Sequence, residues 1–310
     1  MSSRTTFVVV GAGQAGGRAV EAMHAEGFAG RIVLVGEEAY LPYERPPLSK
    51  QLLIGDDGPE RAFLHDEGYY RERGTDLRLG IRAIAIDRQA RRIRLADGEA
   101  LAYDKLLIAT GSRVRRLAVP GCDLAGVHYL RDIDDSLAIR ARLSADARVV
   151  VVGGGYIGLE VAAAARTRGC RVTVLEMQDA LMSRVVAPEI GRFFARVHRE
   201  RGVDIRTGVT VGGFEGRHRL ERVVGADGEA FPADLAVVGV GVVPNTDLAA
   251  DAGLAIDDGI VVDEFGRTSD PDIFAAGDVT NHPSPLLGRR LRLESWQNAQ
   301  NQAIAVARVM

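Results

Sequence analysis

The sequence predicts an α/β protein built twice over, with parallel central sheets and a second unit inserted into the first. Three observations carry this. Short β-branched runs alternate with helical apolar patterns, as in βαβ units. The segment VVVGAGQAG at 8–16 returns as VVVGGGYIG at 150–158. A second pair, ADGEALAYDKLLIATG at 96–111 and ADGEAFPADLAVVGVG at 226–241, aligns without gaps and in the same order. One Asp-Gly turn before an apolar strand is common; two matched pairs in register indicate an internal duplication.

Each element follows from local chemistry. Residues 6–10 (TFVVV) read as a strand, followed by Gly11, Gly13 and Gly16 in a GxGxxG spacing, a helical pattern through His24, and a second strand at 31–35 that runs into Glu37. In that context Gly11 permits a tight turn and Gly13 lets backbone approach a pyrophosphate. Gly16 lets the helix lie close to the strand, and the helix N-terminus faces the phosphates. Glu37 then stands where a ribose hydroxyl would be accepted. This is a Rossmann-like, dinucleotide-binding pattern.

The second copy repeats it, with Gly153, Gly155, Gly158 and, after the strand 171–175, Glu176. An acid there accepts the 2′-hydroxyl of NAD and repels the extra phosphate of NADP, which favours NADH. Arg184 lies eight residues on and could pair with a 2′-phosphate. Each Asp-Gly turn predicts a small antiparallel meander, and the strand after it ends in Gly111 or Gly241. Further on, the run 272–276 ends in Gly277-Asp278. An acid at the end of a buried strand needs a partner, either a ligand hydroxyl or a helix N-terminus. This order predicts one domain from residues 1–112 and 244–310, and a second from 113–243.

Composition narrows the function classes. Apolar residues are 46% and charged residues 26% of the 310, as in ordinary globular proteins. A formal charge of −3 gives no electrostatic case for nucleic acid. No apolar run is long enough for a membrane span, and the N-terminus reads as a strand rather than a leader, so a cytoplasmic location is expected. The two cysteines, Cys122 and Cys170, form no CxxC, which argues against a disulfide framework, a zinc site or a dithiol relay. The histidines show no metal spacing, so no metal is expected. Of the 39 basic residues only Lys50 and Lys105 are lysines. A lysine kept in an arginine-rich chain suggests a place that needs a compact ammonium, although Lys50 also fits a solvated helix start.

Together these residues make the chain resemble the two-dinucleotide flavoproteins of the pyridine nucleotide-disulfide oxidoreductase superfamily. Within it, the chain is similar to bacterial ferredoxin reductases of the putidaredoxin reductase type. The most specific segment is LPYERPPLSK at 41–50, joined by GSRVRRLAVPG at 111–121, GVGVVPNTDLA at 239–249, AAGDVT at 275–280 and LESWQNAQNQA at 293–303. The resemblance implies FAD held by Gly11, Gly13, Gly16, Glu37, Arg45, Lys50, Thr110, Gly111 and Asp278, with Trp296 near the flavin or simply in the core. It implies NADH held by Gly153, Gly155, Gly158, Glu176, Arg184 at the adenine end, and Gly241. Glu160 would lie near the nicotinamide and pair with Lys50.

Hydride transfer to a flavin depends on stacking and alignment, so no catalytic base is nominated. Without a cysteine pair, electrons are expected to leave FAD for a one-electron carrier, a [2Fe–2S] ferredoxin or a rubredoxin serving an oxygenase or cytochrome P450. Arg113, Arg115, Arg116, Arg289, Arg290 and Arg292 are candidates to meet an acidic carrier, or plain solvated surface. The alternative is a flavoprotein like apoptosis-inducing factor, in which NADH binding controls assembly. The chain ends at Met310 within a helical pattern, and the resemblance implies a further C-terminal domain that is expected to be absent here.

Overall fold

The structure, a computed structural model, describes residues 5–310. Its contacts divide the chain into two units: residues up to Glu44 with Ala62–Arg113 and Val243–Met310, and Arg45–Arg61 with Val114–Val242.

The first unit is organised by a five-stranded parallel sheet in the order Ile273–Ala275, Lys105–Ile108, Thr6–Val10, Arg31–Val35, Asp76–Arg78. Strands buried on both faces need continuous apolar runs, which VVV and LLI supply. One face presents Phe7, Val9, Leu107 and Phe274 to the helices Gln14–Ala25 and Trp296–Val309. Those helices meet through alanines, with Ala15, Ala19, Ala299 and Ala303 all buried, and small side chains allow close approach. The other face presents Val8, Val10, Leu106 and Ile108 to a three-stranded antiparallel meander, Ala83–Asp87, Arg92–Leu95 and Ala100–Ala102.

The second unit repeats the plan. Its parallel sheet runs Val203–Thr207, Arg171–Glu176, Arg148–Val152, Leu235–Val238, Val127–Tyr129. The helix Tyr156–Thr167 packs its alanine face on it, and the meander is Val211–Glu215, Arg222–Gly225 and Ala230–Pro232. The duplication extends to detail. Lys105–Ile108 and Leu235–Val238 fall at the same place in the two aligned segments, and both meanders carry a register shift in the first strand, at Ala83/Ala85 and Val211/Gly213.

One segment departs from the sequence-based division. Arg45–Arg61, assigned there to the first domain, packs with the second unit. The reason is hydrogen bonding that no local pattern announces. Ser136 Oγ donates to the Leu48 carbonyl at 2.7 Å, and Arg140 Nη1 to the carbonyls of Leu52, Gly55 and Asp57. Arg168 Nη1 donates to the Ile54 carbonyl, and Arg45 reaches the Arg131 carbonyl.

Candidate functional site

In the first unit the glycine turn is forced by geometry. Gly11 has φ +112°, and a Cβ there would lie 2.2 Å from the Ala109 carbonyl oxygen. Its N–H donates to the Val35 carbonyl at 2.8 Å, closing the strand end. A Cβ on Gly16 would lie 1.8 Å from the Gly11 oxygen, so only glycine lets the helix begin so near the strand. Gly13 is the N-cap of the helix Gln14–Ala25 in extended conformation, and no side chain caps it. The first N–H groups of the helix thus open at the carboxyl edge of the sheet without a side-chain acceptor.

Around this turn the predicted residues take different places. Gln14 is buried and its Oε1 has no partner. Glu37 is exposed just past Val35. Asp278 follows Gly277, whose φ is +87°, and accepts from Ser112 Oγ at 3.2 Å. Thr110 is engaged with Asn245: its Oγ1 donates to the Asn245 carbonyl at 2.8 Å, and Asn245 Nδ2 donates back at 2.9 Å. Gly111 has φ +62°. Trp296 opens the last helix and is 41% exposed, which sets aside full core packing.

In the second unit the same turn recurs. Gly153 has φ +108° and a Cβ there would lie 2.3 Å from the Gly239 oxygen; one on Gly158 would lie 2.0 Å from the Gly153 oxygen. Gly155 is the uncapped N-cap of Tyr156–Thr167, and a Cβ there would meet nothing within 4 Å. Here the acid is tethered. Glu176 accepts from the N–H of Gly154 at 2.6 Å and of Gln178 at 2.8 Å, binding strand end to glycine turn. Arg184 is exposed, and its guanidinium lies beside Gly241, 3.9 Å from where a Cβ would stand. Gly241 follows the strand on the far side of Arg148–Val152 from Glu176, so Arg184 reaches across the turn.

A polar cluster lies in the same unit. Lys50 Nζ is 2.8 Å from Glu160 Oε2 and 3.2 Å from the Pro46 carbonyl. Ser49 Oγ is 2.5 Å from the same Glu160 oxygen. The predicted Lys50–Glu160 pair therefore forms, with a third member, Ser49, that sequence reasoning missed. Its signal was a serine held between two prolines and the lysine.

Some of the candidate docking arginines are committed internally. Arg113 bonds Asn245 and Asp247, Arg290 the carbonyl of Asn281, and Arg292 both Asp258 and Glu294. Cys122 and Cys170 are both free thiols, and burial pushes the Cys170 thiol up. Among the described residues no group of three or more His, Cys, Asp or Glu could hold a metal ion, and no helix is long and apolar enough to cross a membrane.

Two uncapped glycine turns at the carboxyl ends of duplicated parallel sheets define a two-dinucleotide oxidoreductase scaffold. The chain belongs to the pyridine nucleotide-disulphide oxidoreductase family, whose model matches residues 5–303. It is 47% identical to the ferredoxin–NAD(+) reductase component of the anthranilate 1,2-dioxygenase system of Burkholderia cepacia, over 99% of this chain and 76% of the relative. It is 42% identical to putidaredoxin reductase of Pseudomonas putida, over the whole chain and 75% of that protein. Among solved structures, the covalent putidaredoxin reductase–putidaredoxin complex matches 99% of this chain and 75% of that chain, with a TM-score of 0.96 and 41% identity.

Proposed function

We propose that this chain is an FAD-dependent NADH:ferredoxin oxidoreductase, passing electrons from NADH through FAD to a [2Fe–2S] ferredoxin or rubredoxin that serves an oxygenase or cytochrome P450. The observation that carries it is the pair of uncapped, glycine-lined helix N-termini, in a chain whose relatives are named ferredoxin–NAD(+) reductases. A cytoplasmic location is part of this reading.

The residues fit the two groups. In the first unit Gly11, Gly13 and Gly16 leave backbone N–H groups for the FAD pyrophosphate. Glu37 suits the adenosine ribose and Asp278 the ribitol hydroxyls, with Thr110, Gly111 and Trp296 completing this site. In the second unit Gly153, Gly155 and Gly158 suit the NADH pyrophosphate, and Glu176 its ribose. Arg184, from its place beside Gly241, suits the pyrophosphate rather than the adenine end.

FAD bound here would supply hydride acceptance from NADH and release of the electrons one at a time. The protein's own part is orientation and charge. Lys50 has three N–H donors and two acceptors in Glu160 and Pro46, so one donor remains for a bound ligand. Cys122 and Cys170 are separate free thiols and form no redox pair with each other.

The test is to mix the flavin-loaded protein with NADH and a [2Fe–2S] ferredoxin, following flavin bleaching and ferredoxin reduction. Both are expected. Bleaching without ferredoxin reduction overturns the acceptor; no bleaching overturns the cofactor pair.

A further inference from the structure

Ser49 closes the helical turn Pro46–Ser49 and is 1% exposed. Its hydroxyl has one proton and two oxygens within reach, Glu160 Oε2 at 2.5 Å and the Pro46 carbonyl at 3.4 Å. A hydroxyl donates once, and the shorter contact to a carboxylate is the stronger, so the proton lies toward Glu160. Lys50 Nζ takes the same oxygen at 2.8 Å. Both donors thus converge on Oε2 and leave Oε1 for another donor.

The need for a third member is physical. Glu160 stands on the helix Tyr156–Thr167 with its side chain 28% exposed, and Lys50 is 41% exposed. An ion pair between such flexible, half-wet side chains holds neither in one geometry. Ser49 is rigid by contrast. Its turn is fixed by Pro46 and Pro47, and Ser136 Oγ pins the Leu48 carbonyl from a buried position.

We propose that Ser49 is a positioning residue: it locks Glu160 Oε2 beside Lys50 and so turns Oε1 toward the nicotinamide of bound NADH. The orientation half rests on the reading of Glu160 as a nicotinamide neighbour; the locking half does not.

The test uses the flavin-loaded protein with two readouts, the NAD+ dissociation constant by calorimetry and the side-chain NMR signals of 13C-labelled lysine. Only Lys50 and Lys105 contribute lysine signals, and Lys105, paired with Asp272 in the other unit, reports on folding. Ser49→Ala is expected to weaken NAD+ binding about 5- to 10-fold, the scale of one ordinary hydrogen bond, because Ser49 acts on the ligand only through Glu160. It is also expected to move the Lys50 signal and leave Lys105 in place. Ser49→Cys keeps the volume with only a weak donor and is expected to behave like Ser49→Ala. In a Glu160→Gln background Ser49→Ala should add little, because the two act as one unit.

If Glu160→Gln weakens NAD+ binding but Ser49→Ala moves neither readout, the proposal is overturned. A Ser49→Cys protein that matches wild type also overturns it, in favour of packing. If Glu160→Gln leaves NAD+ affinity unchanged while Ser49→Ala still moves Lys50, the locking stands and the nicotinamide assignment of Glu160 falls.

Discussion

Gly155→Ala separates binding from folding. Gly155 has φ −81° and ψ −174°, a conformation alanine adopts freely, and a Cβ there meets nothing within 4 Å. Alanine is a poorer N-cap than glycine by about 0.5–1 kcal/mol, but it restricts the unfolded chain by about 0.4–1 kcal/mol. The net cost is within about 0.5 kcal/mol, a Tm shift of roughly 2 °C or less. The same methyl occupies the open space above the helix N-terminus, where pyrophosphate oxygens must come within hydrogen-bond distance. Losing one charge-assisted bond costs about 1.5–3 kcal/mol, or roughly 10- to 100-fold in affinity. Calorimetric titration with NAD+ beside thermal unfolding measures both. The comparator is Gly153→Ala, where φ +108° and a 2.3 Å approach to the Gly239 oxygen combine strain and overpacking, about 2–5 kcal/mol of lost stability. Unchanged NAD+ affinity in Gly155→Ala would refute this helix N-terminus as the pyrophosphate site, and a Tm loss matching Gly153→Ala would refute the open space.

Two further outcomes follow from the second unit. Glu176→Ala removes the acceptor for a ribose hydroxyl and frees the N–H groups of Gly154 and Gln178, so kcat/KM for NADH should fall about 10-fold or more while that for NADPH falls less. If wild-type protein already prefers NADPH, the choice of NADH is wrong. Asp234 is held at a pKa of about 2, first by its hydrogen bond from the Arg148 side chain. A depressed carboxylate contributes stability above its unfolded value, near 3.8, and loses it as pH falls toward 2. Denaturant unfolding of wild type should therefore weaken over that window, and Asp234→Asn should lack this part of the decline. Equal pH slopes would remove the pair from the account.

What the chain discloses before folding is what depends on backbone permission. Gly11 and Gly153 are legible because φ values above +100° at a strand end admit little but glycine, and the spacing to Gly16 and Gly158 repeats the demand. The strands Lys105–Ile108 and Leu235–Val238 are legible because duplicated segments keep their register. The placement of Arg45–Arg61 was not legible. It depends on Ser136, Arg140 and Arg168, which lie more than 80 positions away and bond to carbonyls, groups every residue carries. The direction of Arg184 was hidden for a related reason: a long side chain on a loop reaches either neighbour of a strand, and spacing does not choose between them.

The two copies keep one scaffold and use their acids differently. Glu176 is held by the N–H groups of Gly154 and Gln178, so its carboxylate is part of the second glycine turn. Glu37 is exposed beyond its strand. A tethered acid presents fewer lone pairs but in a fixed direction, which suits a ligand that must enter and leave each turnover at low ordering cost. An untethered acid can close on a ligand that stays. The lysines carry the same logic. In a chain that uses arginine almost everywhere, Lys50 faces a carboxylate oxygen and a carbonyl four residues back, with a third donor to spare. A planar guanidinium cannot aim single donors in three such directions, whereas an ammonium can, so the retained lysine marks a place where one small charge must be shared among unlike acceptors.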